Sequence, residues 1–119
     1  MGTKSRLWKR PLDERLVERV RGRLAGIAGA DEKKMFGGIC WTVNGHMAAG
    51  VLADALIVRV AADPWQAALA EPGAGPMEMM GRRPPAGFVV VAGASVAAPS
   101  PLQHWLDRGV AYAGSLPPK

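Results

Sequence analysis

The chain is poor in the side chains that most often carry chemistry. Its 119 residues include one cysteine, Cys40, and two histidines, His46 and His104. One cysteine forms no disulfide within a chain and builds no cysteine-based zinc site. It fits a reducing compartment, so a cytoplasmic location is the expectation. No His-x-x-His or comparable spacing gathers ligands, and no metal site or cofactor is expected. An apolar leader is also missing. Lys4, Arg6, Lys9 and Arg10 precede an amphipathic pattern instead of an apolar run. The uncharged stretch 84–106 is long enough to span a bilayer. Pro84, Pro85, Pro99 and Pro101 argue against a spanning helix, and no membrane partner is expected.

What remains is ordinary globular material. Apolar residues make up 49% and charged residues 21%, which excludes wholesale disorder. The length suits one domain with one core. The formal charge is +5, and all of the excess is N-terminal. Residues 1–34 hold ten Lys/Arg against five Asp/Glu, while the rest is balanced. We read residues 1–10 as a flexible basic arm and 11–119 as a single domain.

Leu12, Leu16, Val17, Val20, Leu24 and Ile27 recur at helical spacing, with Arg15, Arg19 and Arg23 outside. From Met35 to Val43 the period changes to that of a strand, and Gly37-Gly38 reads as a bulge within it. Asn44-Gly45 is a hairpin turn. It places Trp41 opposite Ala48 and Cys40 opposite Ala49, with Cys40, Thr42, Met47 and Ala49 on one pleat face. Leu56 to Val60 is a central strand. Asp63-Pro64-Trp65-Gln66 starts a short helix with Asp63 as its cap. Pro76 to Met80 is an edge strand and Gly87 to Ala92 a buried one. Ser100-Pro101 caps a last helix with an inner stripe of Leu102, Trp105, Leu106, Val110 and Ala113. The expected fold is α+β, a two-layer α/β sandwich of order α-β-β-β-α-β-β-α. Its sheet is mainly antiparallel, with helices on one face.

No motif spells out a reaction. The glycine-rich segment 72–76 follows a helix and lacks the lysine of a phosphate loop. Cys40 has no base in reach, because His46 falls on the opposite pleat face, so Cys40 reads as a small buried hydrophobe. The methionines, Met35, Met47, Met77, Met79 and Met80, read as core or edge packing rather than as an adaptable binding surface. No catalytic residue is expected. Arg59, inside an apolar strand, needs an anion, a carboxylate such as Glu32 or Glu78, or an open sheet face. Arg82-Arg83 form a basic turn. Lys4, Arg6, Lys9 and Arg10 around Trp8 combine phosphate contacts with a stacking ring, and Arg15, Arg19 and Arg23 extend that stripe.

Lys33-Lys34-Met35-Phe36-Gly37-Gly38, Val43-Asn44-Gly45-His46-Met47 and Leu56-Ile57-Val58-Arg59-Val60 stand in an order that resembles the TfoX/Sxy N-terminal domain. Pro72-Gly73-Ala74, Gly81-Arg82, Gly87-Phe88-Val89 and Leu116-Pro117-Pro118-Lys119 continue it. The resemblance runs from about Leu12 to the last residue. It implies a bacterial two-layer α/β protein without known catalytic residues. Better-known members of that family co-activate transcription of competence genes with the cyclic-AMP receptor protein. They carry a second, helical domain, and this chain ends before one. The segment 94–100 departs from relatives that hold an acidic loop there.

The expected function is a non-enzymatic regulatory or protein-interaction module linked to transcription regulation. Its expected partner is a second copy, forming a homodimer, or the transcription machinery. The alternative is direct nucleic-acid binding through the basic arm and first helix. A small-ligand protein or enzyme comes third.

Overall fold

Asp13 starts the first element. Its carboxylate accepts a hydrogen bond from the Leu16 amide at 3.1 Å, so it caps helix α1 (Glu14–Leu24). Such caps contribute about 1 kcal/mol. The structure, a computed structural model, describes residues 11–35, 37–78 and 83–119. Leu16, Val17, Val20 and Leu24 are the buried stripe of α1, as the spacing requires.

Strands β1 (Ala30–Met35), β2 (Gly38–Val43), β3 (His46–Leu52) and β4 (Ala55–Arg59) follow as an antiparallel meander. Helix α2 (Trp65–Leu69) crosses to edge strand β5 (Ala74–Pro76), and β6 (Phe88–Ala92) returns between β4 and β5. A 3₁₀ turn (Gly93–Val96) leads into helix α3 (Pro99–Ser115). The sheet order is β1-β2-β3-β4-β6-β5, and every neighbouring pair is antiparallel. The α+β class therefore holds, with one strand more than expected.

The added strand is β1. Gly37-Gly38 does not bulge one long strand. Gly37, at φ +79°, belongs to the connection between two strands, a conformation glycine adopts without strain. Five of the six β1 residues are exposed, so no apolar alternation marks it. Its run Asp31-Glu32-Lys33-Lys34 blunts an unpaired edge with charge.

The hairpin register also differs from expectation. Val43 faces His46 and Thr42 faces Met47, but Trp41 faces Ala49 and Cys40 faces Gly50. A bulge between Trp41 and Thr42 makes Ala48 an extra residue. Ala49 therefore joins Trp41 in the core and leaves the Cys40 face. Three smaller corrections concern element ends. Helix α2 has Pro64, not Asp63, at its N-cap and no side-chain cap bond. The edge strand lies at Ala74–Pro76, ahead of the expected Pro76 to Met80; Met77 and Glu78 fall outside it, and Met79 and Met80 lie outside the described residues. Helix α3 begins at Pro99 after Ala98, without a serine cap. Prolines fit that first turn because its N–H groups have no helical acceptor.

The core lies between the sheet and α1, α3 and the 3₁₀ turn. Ile39, Trp41, Val51, Leu56, Val58, Val89 and Val91 meet Leu16, Val20, Val96, Leu102, Trp105 and Leu106 there. Gly109 replaces Val110 in the buried stripe of α3, and Val110 is half-buried. Alternate strand residues, among them Cys40, Thr42, Leu52 and Ile57, point to the other face by the pleat.

Candidate functional site

The basic residues named from the sequence do not converge. Lys4, Arg6, Trp8, Lys9, Arg10 and Arg82 lie outside the described residues. Arg15 is exposed on α1 and Arg83 is exposed ahead of β6. Arg19 is committed to the fold. Its guanidinium donates to the carbonyls of Val96 and Ala97, each at 3.0 Å, and so ties α1 to the approach to α3. Arg21 bridges Glu18 at 2.6 Å and Glu32 at 2.7 Å. The Arg21 hydrogen bond is the main reason the Glu32 carboxyl is held below its usual range, against the opposing effect of burial. Arg23 donates to Gln103 at 2.6 Å, and Gln103 donates to Asp107. The arginine stripe of α1 is therefore largely spent on contacts within the chain.

Arg59 meets neither Glu32 nor Glu78. Its guanidinium stands 4.8 Å from the centroid of Phe88, its partner across β6, and 5.5 Å from the centroid of Tyr112 on α3. Arg59 Nε is buried and has no hydrogen-bond partner among the described residues. Ring faces, not carboxylates, compensate this charge.

A feature that sequence reasoning missed lies on the sheet face away from the helices. A cavity of about 200 Å³ opens there between Met35, Met47 and Met77, with Cys40, Ile57 and Phe88 among its walls. No charged side chain is among its described lining. Met77, from the β5–β6 connection, lies over strands that its place in the sequence does not predict. Cys40 is 4% exposed, and burial pushes its thiol up while the nearby Lys33 charge acts against that. Among the described residues no group of three His, Cys, Asp or Glu side chains is placed to hold a metal ion. No helix of the described residues is long and apolar enough to cross a membrane.

A second missed cluster joins α3 to the segment after α2. Glu71 accepts from His104 Nε2 at 3.0 Å and from Arg108. The Arg108 guanidinium lies 4.8 Å from the Trp105 ring. Thirty-three or more residues separate Glu71 from these partners, and no local spacing announces them.

Comparison with known proteins gives one result. A family model, the TfoX N-terminal domain, matches residues 23–113. No curated protein matches, and no solved structure matches. The matched span runs from the last turn of α1 to the last buried residue of α3, so it contains the whole sheet.

Proposed function

Since the chain belongs to the TfoX N-terminal domain family, we propose that it is a non-enzymatic regulatory module that works by associating with protein, in the first instance with a second copy of itself. One observation carries this reading. Met35 stands 41% exposed, the one exposed large hydrophobic among the described residues. It sits at the rim of a sheet face that is otherwise uncharged from β2 to β3. With half-buried Met47, Met77 and Phe88 at the same cavity it forms a contiguous apolar surface of the kind that marks interaction sites, and methionine adapts to a partner surface more readily than branched side chains do. Asp31 and Lys33 precede Met35 on the same side of β1, where the pleat alternates. A two-fold contact can set each against its opposite in the other copy. A link to transcription regulation follows the family resemblance and rests on it alone.

Sedimentation equilibrium of the intact chain at low-micromolar concentration tests the reading. A dimer is expected, with Met35→Glu shifting it to monomer while the far-ultraviolet circular dichroism stays unchanged. A wild-type monomer across the range removes self-association from the proposal.

A further inference from the structure

Four described residues carry sulfur: Met35, Cys40, Met47 and Met77. All four line one and the same cavity on the sheet face away from the helices. They come from β1, β2, β3 and the β5–β6 connection, so no local pattern brings them together. The register explains the space between them. Cys40 faces Gly50, and a β-carbon on Gly50 would come 3.3 Å from Met47 Cε and 3.7 Å from the Cys40 Cα. The missing side chain leaves room for the Met47 thioether end beside the cysteine. Cys40 is buried, at 4% exposed, and belongs to the lining of this cavity.

We propose that this cavity is a binding site for a soft monovalent metal ion, copper(I), with Cys40 as thiolate ligand and Met35, Met47 and Met77 as thioether ligands. Soft sulfur donors select copper(I) over harder divalent ions, which favour oxygen and nitrogen. The charge balance points the same way. Binding exchanges the thiol proton for the metal: Cys40–SH and M⁺ give Cys40–S–M and H⁺, with no change of oxidation state. The product is neutral, and the thioethers add no charge. A neutral complex suits walls that offer no counter-ion, whereas a divalent ion would leave an uncompensated positive charge in an apolar cavity. The site does not depend on self-association, because one ion is held within one chain.

Silver(I), a redox-inert ion of the same charge and the same filled d-shell, is the probe. The intact protein with ¹³C-methyl methionine is titrated with silver(I) nitrate and followed by ¹H–¹³C correlation spectra, with a parallel competition against a chelator for affinity. One equivalent is expected to move the methyl signals of Met35, Met47 and Met77 and to leave Met1 in place. Met47→Leu and Met77→Leu keep side-chain volume and are expected to weaken binding at least about tenfold each, the cost that even outer-shell partners of a metal carry. Cys40→Ala is expected to abolish the one-equivalent phase. Two outcomes overturn the proposal. In one, silver(I) binds but no methyl signal moves and both leucine variants bind as the wild type does, which marks a reacting lone thiol. In the other, the intact protein does not bind at all. Repeating the titration with copper(I) held by acetonitrile under nitrogen must give the same three shifts, and their absence removes copper(I) from the assignment.

Discussion

Gly109 of α3 lies against the carbonyl oxygen of Ala48, so closely that a β-carbon at 109 would overlap that oxygen, with Val58 Cγ1 only 3.3 Å away. Ala48 is the extra residue of the β3 bulge, which turns its backbone toward the helix. The bulge and the glycine are thus two halves of one contact. Gly109→Ala is expected to lower stability by about 1–3 kcal/mol, the usual cost of overpacking. Gly114 in the same helix has nothing within 4 Å, so Gly114→Ala is expected to raise stability by about 0.5–1 kcal/mol through helix propensity. Urea midpoints of the two variants, read against the wild type, separate clash from propensity. Equal shifts would sink the close-contact account.

Arg59 holds its charge among rings. Arg59→Lys keeps the charge but loses the planar face that stacks on Phe88 and Tyr112. A loss of about 1 kcal/mol is expected, within the range of partly desolvated cation–π contacts. Arg59→Met keeps the bulk, removes the charge, and relieves the buried Nε of its missing partner. Its loss is therefore expected to be no larger than that of lysine. If methionine proves far worse than lysine, the guanidinium answers an anion and not the two rings.

Glu71 sets an acid limit on the contact between α2 and α3. Burial alone would raise its carboxyl pKa, but hydrogen bonds from His104 and Arg108 outweigh burial and hold it below the usual 4.5. A group depressed in the folded state stabilises above its unfolded pKa, and that contribution disappears as pH falls through the folded value. The wild type is therefore expected to lose stability below about pH 4.5, and Glu71→Gln to lose less over that window. The pair is one-third exposed, so the difference should stay under about 1 kcal/mol. Urea midpoints taken from neutral pH down through pH 3 test it. Parallel profiles would count against the pair.

The elements legible in the sequence are helices with a periodic apolar face and strands that are short continuous apolar runs. The stripe of α1 and the inner face of α3 recur at helical spacing because each buries one face, while β4 and β6 are unbroken apolar runs because they lie inside the sheet. The Asn44-Gly45 turn was equally plain, since positive φ at both positions demands such residues. Strand β1 was not, because an exposed edge has no face to bury and its composition is charged. The bulge at Ala48 was not, since the residue it packs against is Gly109, which no local pattern links to it. The cavity eluded the sequence for the same reason. Its sulfurs lie on four separate segments, and only register and the Met77 connection bring them to one place. Arg19 shows the converse: a residue with the right charge and spacing for phosphate contact turned out to bind two carbonyls.

That difference divides the basic residues into two groups with opposite expected behaviour toward DNA. Arg19 supports the packing of α1 against the segment before α3, so Arg19→Ala should cost about 1–3 kcal/mol of stability by leaving two carbonyls without a charged donor. It should change DNA affinity little. Arg15 and Arg83 are exposed and free to meet phosphate, and the first ten residues add four further cations. If the chain binds nucleic acid, deleting residues 1–10 should weaken binding and flatten its dependence on salt, since each lost phosphate contact lowers the slope by about one. Fluorescence anisotropy with labelled double- and single-stranded DNA at about 50 and 200 mM salt spans the range where phosphate contacts lose most affinity. Binding that falls with salt and with the arm, but survives Arg19→Ala in a folded protein, would assign the contact to the arm. Salt-sensitive binding that ignores the deletion would place it on Arg15 and Arg83, and the double variant Arg15→Gln, Arg83→Gln should then remove it. No binding by any form would leave the positive charge as a solubilising feature and make a protein surface the working contact of this domain.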